Sequence, residues 1–334
     1  MRVGLAYDLK EDILLSGSHP EDALEEYDSR TTVEAISEVL ESLGNSVVML
    51  GGGRKFLTNV LEKPVDFVFN IAEGRGDYRS REAQIPAVLE MLGIPYSGSD
   101  PQCLSICLDK PLTKNLVSMA GIRTPMWQVI NSSQDIAEIA NDFPAPAFIK
   151  PAYEGSSKGI RLGSKLETPE QITQAATDLL EHYRQPVMIE EFIAGEEVTV
   201  GVVGNSPTEI IGLMRILPRD KRPDFIYSLE VKRDWEQLVN YECPARLEAG
   251  IVEEIKEFSL RTFKALGCRD FARMDFRIDR TGRPFFLEIN PLPGLNPKSG
   301  DLVILAGKMG WSYEALLSAI FNAALARYPE CVRK

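Results

Sequence analysis

The sequence predicts an α/β protein of several domains that opens with a parallel sheet and continues as α+β. Three observations carry this expectation. The chain is 334 residues long, its first hundred residues alternate short apolar strands with amphipathic helices, and a polar strand pair, RMDFRIDRTGRPFFLEINPLPG, spans Arg273–Gly294. That length exceeds one small compact core and favours two or three domains. Apolar residues make up 44% and charged residues 26%, which is enough to build those cores and too apolar for long disorder.

Met1–Tyr7 reads as a buried strand. In Ser29–Leu43, Val33, Ile36, Val39, Leu40 and Leu43 recur at helical spacing, with Gly44 as the stop. SVVML is a second strand, the glycine run Gly51–Gly53 a loop, Val65–Ile71 a third strand, and Glu82–Leu92 a helix closed by Gly93. This alternation argues for a Rossmann-like parallel α/β domain over residues 1–102. Residues 103–186 follow as a second α+β domain: a helix over Asp109–Ala120, strands at Pro125–Ile130 and Ala147–Lys150, and a helix over Glu167–His182. Residues 187–334 form the third, with strands at Val187–Phe192 and Glu197–Val203, a charged loop at Arg219–Phe225, and a last helix over Ser312–Tyr328.

The net charge is −12. No Lys/Arg run supplies the basic face that nucleic acid requires, whereas a local lysine cluster could still hold an anion such as ATP. The two histidines exclude a His-rich metal site. The five cysteines match no zinc ribbon; Cys103 and Cys107 could share a helix face, and all five read as plain thiols of a reducing cytosol. The charged N-terminus lacks a signal-peptide core and no apolar run is long enough to span a bilayer. The expectation is a soluble cytoplasmic protein.

Three stretches carry chemistry. In FIKPAYEGSSKG a strand ends at Lys150 and runs into a Gly/Ser loop of the kind that cradles phosphate; the order of a P-loop is absent, and a plain surface loop is the alternative. In VMIEEFIAGEEVTV, Glu190 and Glu197 could read an adenine amino group and ribose hydroxyls, or belong to a solvated acidic hairpin. In the third, period-two alternation puts Arg273 and Asp275 on one strand face and Glu288 and Asn290 on one face of the next. If the strands pair, two carboxylates and an amide oxygen form a hard donor set suited to Mg²⁺. A solvent-facing polar sheet side is the alternative, opposed by the apolar strand and rigid Pro/Gly turn around it.

Taken together, these stretches resemble the ATP-grasp superfamily and, within it, the D-alanine–D-alanine ligase family. The resemblance covers nearly the whole chain, including the junction segment Ile94–Pro125. It implies a three-domain ATP-grasp fold and a peptide-bond-forming, ATP-dependent carboxylate–amine ligase of cell-wall type, working on small amino-acid substrates as a homodimer. It implies ATP and two Mg²⁺, with Mn²⁺ as a substitute. Lys110 and Lys150 would contact phosphates, Ser157 and its neighbouring N–H groups would cap them from the loop, and Ser156 beside it would be one of the catalytic residues. Glu190, Glu191 and Ile193 would hold adenine, with Glu191 in place of a more usual Lys, and Glu197 would hold ribose. Lys232 would reach the γ-phosphate from a lid near Arg219–Lys232. Asp275, Glu288 and Asn290 would bind metal. Arg273 and the Gly294 N–H would stabilise the oxyanion, and Arg273 with Ser299 would grip the second substrate's carboxylate.

The departures fall on the first-substrate side. The family's N-terminal Gly-rich motif carrying a Glu becomes HPEDALEEYDSRTTVEAI, where Glu25, Glu26 or Asp28 could substitute; Glu25 is the substrate-side expectation. The family's His-Gly after the third strand is Glu73-Gly74, and the Tyr after the lid lysine is Arg233. Three readings follow: a D-alanine–D-alanine ligase, a relative joining a different carboxylate to an amino acid, and a nucleotide-binding regulator without turnover.

Overall fold

The computed structural model describes residues 1–15, 18–220 and 224–332. β1 (Arg2–Ala6) lies between β2 (Ser46–Gly51) and β3 (Phe67–Asn70), all parallel. The crossover helix α1 (Arg30–Ser42) starts where Ser29 accepts the Thr32 N–H, and it buries Val33, Ile36 and Leu40. The glycine run is not wholly a loop: Gly51 ends β2, Gly52 caps, and Gly53 opens α2 (Gly53–Glu62). A Cβ on Gly52 would lie 1.8 Å from Asp8 Oδ1, so the run serves a close strand–helix approach. α3 (Gln84–Leu92) ends at left-handed Gly93, as expected. α4 (Pro101–Leu108) and α5 (Lys110–Met119) follow, each capped by an aspartate, Asp100 and Asp109.

β4 (Trp127–Ile130), β5 (Ala147–Pro151), β6 (Lys165–Leu166) and β7 (Val187–Glu191) form an antiparallel sheet in the order β4-β7-β5-β6. β7, expected to open the last domain, is hydrogen-bonded into the middle of this sheet instead, because both its edges are paired. α6 (Ser133–Asp142) and α7 (Pro169–Tyr183) cover it through Ile136, Ala140, Ile172 and Ala176.

β8 (Gly195–Gly204), β9 (Thr208–Pro218), β10 (Val239–Glu242), β11 (Phe271–Asp279) and β12 (Pro284–Asn290) form the larger antiparallel sheet, ordered β10-β9-β8-β11-β12. The short helices α8 (Leu229–Arg233) and α9 (Trp235–Leu238) lie between β9 and β10 in the chain. α10 (Ala249–Ala265) packs Ile255, Phe258 and Phe263 against one apolar face of this sheet. α11 (Asp301–Lys308) and α12 (Tyr313–Leu325) join it to the first sheet in one core: Phe321 meets Phe67 edge-on at 5.4 Å between centroids. Helical spacing in the sequence predicts α12, whereas α2, α4, α6, α10 and α11 are not among the helices expected from it. Among the described residues no helix is long and apolar enough to cross a membrane.

Candidate active site

Two cavities, of about 350 and 70 Å³, meet where Lys232, Arg273, Glu288 and Asp301 line both. The smaller is walled by β5, β7, β8 and β11 and gathers Lys150, Ser157, Glu190, Glu191, Ile193, Glu197 and Asp275. The larger runs toward the N-terminal domain and includes Lys110, Ser156, Asn290, Gly294, Ser299 and Glu25.

The strand pair behaves as its periodicity predicts. Arg273 sits opposite Asn290, and Asp275 opposite Glu288. Arg273 Nη2 donates to Asp275 Oδ2 at 2.8 Å, and Nη1 to Asp301 Oδ2 at 3.3 Å. Thr199 donates to Asp275 Oδ1 at 2.8 Å. The Glu288 oxygens lie 3.8 Å from Lys110 Nζ and 3.9 Å from Arg273 Nη2. Burial alone would raise the Glu288 carboxyl; Lys110, Lys150 and Arg273 overcome it and hold it down to about 2. Glu288 is thus ionised and not consumed by a short ion pair, and the neighbouring Asn290 side chain adds to the pull that lowers its carboxyl. An ionised carboxylate, a second carboxylate and the Asn290 amide oxygen on one patch are the oxygen donors a hard divalent cation takes.

Ser156 and Ser157 have φ of 52° and 59°. Serine holds left-handed backbone only where the surroundings enforce it, and successive N–H groups in such turns make anion-binding concavities. Lys150 and Lys114 each place Nζ 2.8 Å from a Glu190 oxygen. Lys110 Nζ donates to the Glu154 carbonyl. Burial lowers the Lys114 ammonium to about 8 despite Glu190. Lys114 is not among the residues expected at the site, although LDKPLTK puts it one helical turn after Lys110.

Glu190, expected at adenine, therefore has its carboxylate bound by two lysines. The remaining polar groups of that edge are the exposed Glu191 and the carbonyl of Ile193, which accepts from Arg277 Nε at 2.8 Å. Arg277 also holds the Gly195 and Phe225 carbonyls and lies 3.4 Å from Glu197. Burial pushes the Glu197 carboxyl up to about 7, against the pull of Arg277. Arg277 continues the period-two series Arg273, Asp275, so the same alternation could have found it.

At the substrate end, Gly294 and Ser299 lie exposed on the turn after β12. Asn296 orders that turn: its Oδ1 accepts the Lys298 and Ser299 N–H groups at 3.0 Å, and its Nδ2 donates to Thr32 of α1 at 3.0 Å. Lys232 lies 3.7 Å from Asp301, which also accepts from Tyr227 and Tyr241 at 3.1 and 3.4 Å. Glu25 is held by Arg233 at 2.7 Å. Of the expected lid, residues 221–223 lie outside the described residues; the rest returns to the loop after β5, where Leu229 N–H meets the Ile160 carbonyl at 3.0 Å. Asn296 and Asp301 have no local sequence signal.

Two antiparallel sheets enclosing buried lysines, with a carboxylate-rich hairpin and an arginine at the junction, define an ATP-grasp enzyme that joins a carboxylate to an amine with ATP. The family model described as "D-ala D-ala ligase C-terminus" matches residues 114–322. A D-alanine–D-alanine ligase of Aquifex aeolicus is 32% identical over 295 residues, covering 88% of this chain and 94% of that one. An uncharacterised protein, y4sG, of Sinorhizobium fredii is 32% identical over 305 residues, covering 88% of each. In fold, the D-alanine–D-alanine ligase of Bacillus anthracis complexed with ATP superposes with a TM-score of 0.76 at 24% identity over 99% of both chains. The chain belongs to the D-alanine–D-alanine ligase family.

Proposed function

We propose that this enzyme activates the carboxylate of one amino acid with ATP and joins it to the amine of a second, in the manner of the D-alanine–D-alanine ligases. The observation that carries the reading is the cross-strand register placing Arg273, Asp275, Glu288 and Asn290 in one patch at the meeting of two cavities. Lys110, Lys150 and the N–H groups around Ser156 and Ser157 bind the phosphates, with Glu190 and Lys114 fixing Lys150. Glu191, Ile193 and Glu197 hold the nucleoside. Asp275, Glu288 and Asn290 would hold two Mg²⁺, or Mn²⁺, which when bound neutralise phosphate charge.

A carboxylate oxygen of the first substrate takes the γ-phosphoryl group and ADP leaves. Lys232, freed from Asp301, follows that phosphate. The second substrate's amine then attacks the acyl carbon and phosphate departs, while Arg273 and the Gly294 N–H face the developing oxyanion. Arg273 and Ser299 hold the second carboxylate. The segment ending in Lys232 closes over the site to keep water from the acyl phosphate. The same reading carries a cytoplasmic homodimer, which sedimentation checks. A second reading, in which the first acid differs from alanine, is favoured by Glu73 standing where the family carries His.

The test is incubation with ATP, Mg²⁺ and a panel of D- and L-amino acids, following phosphate release and product mass. D-alanyl-D-alanine, or another dipeptide formed with phosphate, is the expected result. ATP binding without phosphate release across the panel would overturn the reading.

A further inference from the structure

Three of the five cysteines meet in one place. Cys103 and Cys107 stand one turn apart on α4, and Cys268 lies in the short segment between α10 and β11. Their sulphurs all lie within 4.8 Å of one another, with Cys103 Sγ 3.5 Å from Cys268 Sγ and 3.8 Å from Cys107 Sγ. The other two cysteines differ. Cys243 and Cys331 direct their sulphurs to the Leu305 and Asp66 carbonyls, at 3.9 and 3.7 Å.

Both segments of the cluster are fixed by their own backbone. Asp100, at the start of α4, accepts the Cys103 N–H at 2.8 Å, and the Phe263 carbonyl accepts the Cys268 N–H at 2.9 Å. Arg269 clamps the two segments together: its Nη2 donates to Asp100 Oδ2 at 2.6 Å and its backbone N–H to Ser99 Oγ at 3.0 Å. All three side chains are buried in the apolar core shared with α10 and β11. Cys107 also lines the larger cavity, which gives an ion a way in.

A metal–sulphur bond of about 2.3 Å sets the sulphurs of a trigonal site about 4 Å apart, close to the separations seen. Among the described residues no His, Asp or Glu joins the three sulphurs as a fourth ligand. Mg²⁺ takes oxygen, and a structural zinc ion takes four ligands. Three thiolates in apolar surroundings instead suit a soft ion that accepts sulphur alone. We propose that Cys103, Cys107 and Cys268 form a trigonal thiolate site for one Cu(I) ion, separate from the carboxylate patch of the β11–β12 hairpin. Each sulphur binds as thiolate and gives its proton to solvent. The ion joins α4, which leads toward Lys110, to the segment that enters β11.

The experiment is anaerobic titration of the reduced full chain with Cu(I) in competition with bicinchoninate, a coloured Cu(I) chelator. The expected result is one Cu(I) per chain drawn from the chelator, with sulphur-to-copper charge-transfer absorption and a higher melting temperature. Cys103→Ser and Cys268→Ser should each weaken retention at least about tenfold, the scale reached by loss of even an outer contact to a metal site. Cys243→Ser, outside the cluster, should leave it unchanged. Thermal melting confirms the fold of each variant. A chelator that keeps all the copper against the wild-type protein overturns the proposal without any variant, as does copper retention unchanged in the folded Cys103 and Cys268 variants.

Discussion

Arg273 has Asp275 and Asp301 in hydrogen-bond contact and Glu288 just beyond. It keeps one carboxylate pair from repelling while standing at the meeting of both cavities. Glu288 faces it ionised, which makes it the residue most exposed to a change of charge. Glu288→Gln should lower kcat at least about a thousandfold, since a metal-held charge stabilises the transition state by several kcal/mol; the circular dichroism spectrum should be unchanged, and wild-type-like turnover would refute the metal assignment. Asp28 gives a pH-dependent test. Its folded carboxyl titrates at about 7, above its ordinary value, through burial and Asp8. A raised carboxyl contributes stability below the unfolded value and loses it as pH rises through the folded one. Asp28→Asn should therefore raise the melting temperature of the ligand-free protein more at about pH 8 than at about pH 5. An equal shift at both would show that Asp28 is ionised throughout.

At the scale of elements, the Gly/Ser loop after β5 is held from outside its own sheet. Asp22, wholly buried, accepts from the Gly159 N–H at 2.9 Å, Arg161 Nη2 at 3.1 Å and the Tyr183 hydroxyl at 2.7 Å. The N-terminal segment thus fixes the loop that bears Ser156 and Ser157. Asp22→Ala strands these donors and should cost about 3 kcal/mol in urea unfolding, with KM for ATP rising more than kcat falls. A fall in kcat alone would separate the loop from nucleotide binding. Within the same element pair, Glu190 between Lys114 and Lys150 is a buried charge triad. Lys114→Met should cost about 2–4 kcal/mol, because it leaves Glu190 with one cation in a buried site; unfolding by urea measures it.

At the scale of the whole molecule, Asp270, just before β11, ties the first and last parts of the chain. Arg327 grips it from two nitrogens at 2.9 and 2.7 Å and also donates to the Tyr96 carbonyl at 2.7 Å, while the Gly98 N–H meets Asp270 at 2.7 Å. Asp270 is fully buried. Arg327→Met should destabilise by about 3–5 kcal/mol, the scale for an abandoned buried charge, measured by denaturant unfolding. A loss well below 1 kcal/mol would mean water reaches Asp270. This tie matters for function because the larger cavity has walls from both the first domain and the hairpin.

Local pattern was enough for much of this. Most of the alternation of strand and helix over the first hundred residues, the shared polar face of Arg273, Asp275, Glu288 and Asn290, and the loop after Lys150 are legible in the sequence, because each is set by periodicity or turn chemistry within a short span. The partners of those residues are not. Lys114 on Glu190, Asp301 on Arg273, Asn296 on Thr32, and Cys268 3.5 Å from Cys103 are joined across tens to hundreds of positions, where no period records a contact. The same holds for strand β7, whose own pattern says strand but not which sheet. What can be read without the fold is most of the first strands and helices and the polar face of the β11–β12 hairpin, because each is written in local periodicity. Which charges are neutralised is settled by the fold, since pairs such as Arg81 with Glu26 and Lys114 with Glu190 depend on distances that folding alone creates.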